Sequence, residues 1–240
     1  MLRLFAHRFI VRFNRRVVLT RRVVLAGFAV SVLLLTAPAA AHAQFAPPSP
    51  GTQVHDPAAL KPPPGAHVAI VEFEDMECPD CARANPLLRD AAAKYNIPWV
   101  RHDFPLPFHP WSMQAAINAR WFDTKSKKLG DEYRDAVFAN QTSLGEDPNR
   151  MRTFTEKFAA DHKIELPFAL DPQGKLVAEV KADYALGQRI GIEHTPTIWV
   201  VTANSKGAPF IEVVDRSKLY ELIDQALEDT KSAATRTAHK

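Results

Sequence analysis

Cys78-Pro79-Asp80-Cys81 holds both cysteines of this 240-residue chain. A disulfide between them closes a loop of four residues and constrains little of the unfolded chain, so a stabilising staple is a poor use of the pair. Structural zinc is equally poor, because no second Cys pair or well-spaced His pair completes four ligands. Thiol–disulfide exchange needs what the segment offers. Cys78 falls at the expected first turn of a helix, where free N–H groups and the helix dipole favour a thiolate. Cys81, three residues on, is near enough to attack a mixed disulfide from the same side. Cys78 is therefore read as the exposed nucleophile and Cys81 as the buried resolver.

The elements that must position this pair follow from the pattern around it. Residues 67–73 are short, apolar and β-branched, which predicts a buried central strand. Asp75 to Glu77 form a turn, and Cys78 opens a helix to about Lys94, broken in its middle by Pro86. Trp99–Phe104 is a second strand, and Pro105–Pro110 a proline-interrupted loop. Helices are predicted near Trp111–Phe122, Asp131–Asn140, Arg150–Ala160 and Leu176–Arg189. Met151, Phe154 and Phe158 form one apolar stripe, read as core packing. Thr197–Val201 and Pro209–Val214 read as an antiparallel hairpin around Asn204–Gly207, followed by an amphipathic helix through Leu219, Ile223 and Leu227. The order is β-α-β, a helical insertion, then α-β-β-α. Trp111 and Trp121 are expected as buried-rim aromatics, and His109 as a loop hydrogen-bonding residue outside the catalytic set.

Charge is unevenly placed. Seven of the 30 basic residues lie in residues 1–43, which hold no acid, so the other 197 residues carry 23 basic against all 27 acidic side chains. The formal charge of +3 thus gives no support to nucleic-acid binding. Residues 1–22 are basic, Val23–Ala37 is an uncharged apolar run, and Ala41-His42-Ala43 has the small-x-small form of a cleavage site. This order predicts a secretory signal peptide over 1–43, cleaved after Ala43. Arg21-Arg22 allows a twin-arginine route, with a general secretory signal as the alternative. The apolar run falls short of the roughly 20 residues of a bilayer span. Export places the cysteine pair in an oxidising compartment. Residues 44–65, with seven prolines, read as a flexible arm, 66–229 as one domain, and 230–240 as a polar, frayed tail.

The sequence resembles the DsbA-like branch of the thioredoxin-fold proteins. The resemblance rests on the run Val71-Glu72-Phe73-Glu74-Asp75-Met76-Glu77-Cys78-Pro79-Asp80-Cys81, on Pro86, on Phe104-Pro105-Leu106-Pro107-Phe108-His109-Pro110, and on Gly191-Ile192-Glu193-His194-Thr195-Pro196-Thr197. It spans about Val68 to Leu227. It implies an α/β thioredoxin fold with a helical insertion at about 108–175. It implies that Glu72 is a buried acid beneath the cysteine pair, able to accept the Cys81 proton; the alternative is an exposed strand face shared with Glu74. It implies a cis Pro196 whose loop lies beside Cys78 and presents Thr195 backbone groups to a substrate chain. His194 borders that loop, either as a cation near the thiolate or as an exposed spacer. Pro79 matches the family pattern. Asp80 departs from it: strongly oxidising members commonly carry His there, and an acid opposes the thiolate.

These features imply a periplasmic thiol–disulfide oxidoreductase acting on cysteines of exported proteins, with no organic cofactor and no metal. Pro79, Asp80, His194 and Thr195 would line the substrate groove. A recycling partner, soluble or membrane-bound as the resemblance implies and membrane-bound as the favoured case, would exchange electrons with the pair, and the protein is expected to be a monomer. With Asp80 offsetting part of the thiolate stabilisation, the expected potential lies between roughly −120 mV for DsbA and roughly −270 mV for thioredoxin. Disulfide donation is the favoured direction. Reduction of misoxidised clients, assembly of a copper site by the thiol pair, and a non-catalytic peptide-binding module are the alternatives.

Overall fold

A computed structural model describes residues 51–203 and 207–237. The signal segment, its cleavage site and most of the Asn204–Gly207 turn lie outside the described residues. The sheet has four strands in the order β2-β1-β3-β4: β1 (Val68–Glu74), β2 (Trp99–Asp103), β3 (Thr197–Thr202) and β4 (Phe210–Glu212). β1 runs parallel to β2 and antiparallel to β3, and β3 is antiparallel to β4. Every residue of β1 is buried, as its apolar, β-branched run predicts.

Strand alternation sends the two sets of β1 side chains into different cores. Val68 and Ile70 pack with Leu88 and Ala91 of α1 (Pro79–Tyr95) and with Leu219 and Ile223 of the terminal helix (Leu219–Thr237). Ala69, Val71 and Phe73 pack on the opposite face with Trp199, Phe104 and Ile190. Ile190 ends the helix Lys175–Ile190, which approaches the sheet closely at Gly187. A Cβ at Gly187 would lie 2.6 Å from the Phe104 ring and 3.1 Å from Phe73.

Between β2 and the Lys175–Ile190 helix the chain inserts α2 (Ser112–Asp123), α3 (Lys127–Leu144) and α4 (Pro148–Asp161); the following helix is α5 and the terminal one α6. The insertion has its own core of Trp111, Phe122, Tyr133, Val137, Met151 and Phe158, and Met76, Cys78 and Cys81 belong to that same cluster. The apolar stripe of α4 is core, as its spacing predicts. Trp111 is fully buried rather than at a rim.

Four further expectations change. α1 is continuous through Pro86 instead of broken there; the proline costs one backbone bond, and packing of Leu88 and Ala91 holds the helix across it. α3 starts four residues before Asp131, because Ser126 caps it by accepting from the Leu129 N–H at 3.1 Å. The described part of the proline-rich segment is docked, not free. Thr52 donates from its N–H and Oγ1 to the Glu212 carboxylate at 2.6 and 3.0 Å, the His55 N–H donates to Ile190 O at 2.8 Å, and Leu60 is buried. Helical backbone also runs to Thr237, past the Thr230 boundary expected for the tail. Among the described residues, no helix is long and apolar enough to cross a membrane.

Candidate active site

The turn between β1 and α1 is built around Asp75. Its fully buried carboxylate accepts from the N–H groups of Glu77 and Leu106, both at 2.7 Å, and from Ser112 Oγ at 2.5 Å. His109 Nδ1 lies 2.7 Å from it. These contacts tie the turn to the Pro105–Pro110 loop and to the start of α2. Gln141 in α3 adds a second tie, donating from Nε2 to the carbonyls of Met76 at 2.7 Å and Cys78 at 3.0 Å.

Cys78 is the N-terminal cap residue of α1, and Pro79 follows at N1, a position where its missing N–H costs nothing. Cys78 is 8% exposed and Cys81 is fully buried. Cys78 is thus the more accessible of the two sulfurs, but it is sheltered rather than open, because the Thr195 loop lies against it. Cys78 Sγ lies 3.3 Å from Thr195 O, and the Thr195–Pro196 peptide is cis. Cys81 Sγ accepts from the Asp75 N–H at 3.4 Å.

The two thiols are driven apart in acidity. Cys78 is lowered from 9.0 to about 6, chiefly by a hydrogen bond from Cys81. Burial works against that lowering, while the Thr195 side chain and the backbone N–H groups of Cys81 and Asp80 assist it. Cys81 is raised well above 9.0, first by burial and then by Cys78 and Glu72. One sulfur is thus poised as a thiolate near neutrality and the other is held as a thiol.

Glu72 and Glu74 do share one face of β1, but α1 and the insertion cover that face, and both are buried. Glu72 accepts from Trp99 Nε1–H at 3.0 Å through Oε2, while Oε1 has no hydrogen-bond partner among the described residues. Burial, reinforced by Glu74, raises its pKa well above the usual carboxylate range. Arg101 donates to both oxygens of Glu74, at 3.0 and 2.7 Å.

The structure brings Cys78, Cys81, Glu72, Thr195 and Pro196 into one region. His194 is half-buried, its carbonyl accepts from Thr197 Oγ1 at 2.6 Å, and among the described residues no hydrogen bond or ion pair joins its imidazole to Cys78. Asp80 turns to Arg216 and Arg83, not to the sulfur. Asp75, Gln141 and Arg216 escape the sequence reading. Asp75 could have been found from its place in the turn before the cysteines, whereas the other two carry no local signal.

A four-stranded β2-β1-β3-β4 sheet, a CxxC pair opening the helix after its central strand, and a cis X-Pro loop against the first sulfur define a thioredoxin-fold protein. The helices inserted after β2 are the arrangement of its DsbA-like structures. A family model described as Thioredoxin matches residues 63–229, and the chain belongs to that family. Among solved structures, Wolbachia pipientis alpha-DsbA1 matches with a TM-score of 0.56 and 15% identity, over 74% of this chain and 92% of that one. Pseudomonas aeruginosa DsbA2 matches with a TM-score of 0.51 and 20% identity, over 70% and 93%. A periplasmic thioredoxin-like protein from Salmonella enterica serovar Typhimurium matches with a TM-score of 0.53 and 18% identity, over 67% and 84%. The curated relative Na(+)/H(+) antiporter NhaA 3 of Salinispora tropica is 26% identical over 157 residues, and the chain spans 23% of its length.

Proposed function

We propose that the protein is an exported thiol–disulfide oxidoreductase that donates its Cys78–Cys81 disulfide to cysteines of exported proteins. The observation that carries this reading is the placement of the pair: Cys78 caps α1 with its Sγ 3.3 Å from Thr195 O of the cis-proline loop, Cys81 is fully buried, and burial and hydrogen bonding split their acidities, Cys78 to about 6 and Cys81 well above 9.0. A client thiolate attacks Cys78 Sγ, the Cys78–Cys81 bond breaks, and Cys81 leaves as a thiolate. Glu72, whose pKa burial raises well above the usual carboxylate range, supplies the proton that makes Cys81 a thiol. A second client thiolate then attacks the client sulfur of the mixed disulfide and expels Cys78 as a stable thiolate. The client loses two electrons, and the protein pair gains them. In the reverse direction Glu72 accepts the Cys81 proton as that sulfur attacks.

Thr195 and the Pro196 turn would receive the client backbone beside Cys78, with Pro79 and Asp80 forming the opposite wall of the groove and His194 at its edge. A thiolate pKa of about 6 lies between about 7 for thioredoxin and about 3.5 for DsbA. Stabilising the reduced form this way makes the pair an oxidant of intermediate strength. The basic-apolar-small order of residues 1–43 supports export to a periplasm, where a membrane-bound partner would reoxidise a monomeric protein.

The test is a glutathione redox titration read by thiol alkylation, together with oxidation of a reduced model client. A potential between roughly −120 and −270 mV with stoichiometric client oxidation is expected. A potential below about −270 mV, with insulin reduction in its place, overturns the donor reading and makes the protein a reductase.

A further inference from the structure

Asp80 places a carboxylate in the first turn of α1, between the two cysteines. Left alone, its charge opposes ionisation of Cys78. It is not left alone. After β4 the chain enters a short helical turn, Arg216–Lys218, capped by Asp215, which accepts from the Ser217 N–H at 2.9 Å and Oγ at 2.7 Å. Arg216 reaches from this turn to residue 80, donating Nη2 to Oδ1 at 2.6 Å and Nη1 to the main-chain O at 3.2 Å. Arg83 donates to the same Oδ1 from Nε at 3.2 Å and Nη2 at 3.0 Å.

The two arginines are not equivalent. The Arg83 side chain is 63% exposed and pairs three residues along its own helix, whereas Arg216 is 19% exposed and comes from 136 residues away. Exposed pairs of the first kind hold weakly. The Arg216 fork is planar, binds carboxylate and carbonyl together, and starts from a capped turn. Its carbonyl contact also fixes the Asp80–Cys81 peptide, whose Cys81 N–H assists the Cys78 thiolate.

We propose that Arg216 is a positioning residue for the Cys78 nucleophile, acting through Asp80: it neutralises the acid of the CxxC turn and holds the peptide that faces the sulfur. This rests on the oxidoreductase reading above. Among the described residues, the charged or titratable groups near Cys78 include Glu77 beside it in the chain, Cys81 and Asp80 with Arg83 on α1, Glu72 on β1, His194 in the cis-proline loop, and Arg216 from the turn after β4.

The experiment measures the Cys78 pKa from ultraviolet thiolate absorbance, and the equilibrium with glutathione, in the full protein and in Arg216→Gln, Arg216→Lys, Asp80→Asn and the Arg216→Gln/Asp80→Asn pair. Arg216→Gln should raise the pKa by about half a unit, the effect of one solvent-facing charge released nearby. The glutathione equilibrium should become about threefold less oxidising. Arg216→Lys, which keeps the charge and loses the fork, should shift the pKa by less. In the Asp80→Asn background the Arg216→Gln shift should shrink to the part carried by the main-chain contact at residue 80. An unmoved pKa in Arg216→Gln overturns the inference, as does an equal shift with Asp80 removed, which would mean that Arg216 acts on the sulfur directly. If Arg216→Gln does not fold, Arg216→Lys in the two backgrounds carries the same comparison. A wild-type pair that fails to exchange with glutathione overturns the oxidoreductase reading itself.

Discussion

Gln141 lies 63 residues from Cys78, yet its Nε2 donates to the Cys78 carbonyl at 3.0 Å. The same nitrogen serves Met76 O, so one side chain of the insertion fastens both sides of Glu77. Gln141→Ala should cost about 1–2 kcal/mol in urea unfolding, the usual worth of two hydrogen bonds. It should also speed alkylation of Cys81 in the reduced protein. Unchanged stability and unchanged Cys81 protection would show that the tie carries no load.

Glu72→Gln should slow the Cys81 step by about a hundredfold or more, the lower range for loss of a general acid or base. Cys78 alkylation should change far less. Rapid-quench trapping of the mixed disulfide with glutathione separates the two. Equal slowing of both steps would point to a distorted site instead of a lost proton carrier.

The same substitution has a pH signature in stability. Glu72 binds its proton more tightly in the folded state, because burial raises its pKa above 4.5. Its contribution is therefore fully present below that value and lost as pH rises through the native pKa. Glu72→Gln should match wild type near pH 4 and exceed it increasingly toward neutrality. Urea midpoints across that range check the sign.

Cys78 has the opposite sign. Its folded pKa is depressed from 9.0 to about 6. The stability it gives the reduced protein is complete above 9.0 and lost as pH falls through about 6. Cys81, raised well above 9.0, titrates outside this window. Reduced protein should gain stability between pH 6 and 9 in a way that Cys78→Ser abolishes. The alkylation rate of Cys78 should reach half its maximum near pH 6.

Gly187→Ala tests the closeness of α5 to the sheet. In an open helix the change stabilises by about 0.5–1 kcal/mol. Here the new Cβ meets the Phe104 ring at 2.6 Å, so destabilisation of about 1–3 kcal/mol is expected from overpacking. A raised melting temperature would refute the packing argument.

Local signals were enough for the frame. The apolar run of β1, the CxxC spacing and the Thr195-Pro196-Thr197 loop are each written in consecutive residues, and the resemblance joined them. What could not be read are partners separated along the chain. Nothing near Asp80 announces Arg216, and nothing near Cys78 announces Gln141. Glu72 and Glu74 alternate as a solvent face would, and only the packing of α1 and α3 makes that face interior. The early start of α3 was legible in the Ser126 cap, while the docking of Thr52 on Glu212 depends on a strand edge that appears only after folding.

Cys78 and Cys81 pack within the core of the inserted helices rather than in the cores that flank the sheet. Electron transfer at the sulfurs therefore reports to α2, α3 and α4. Whichever redox form packs better against Trp111 and Val137 strengthens the cohesion of those helices, and by linkage whatever tightens them favours that form by the same free energy. Backbone amide exchange in the insertion should then differ between the oxidised and reduced protein, while β1 and β3 exchange alike, and a client resting on those helices would adjust the potential of the pair without touching either sulfur.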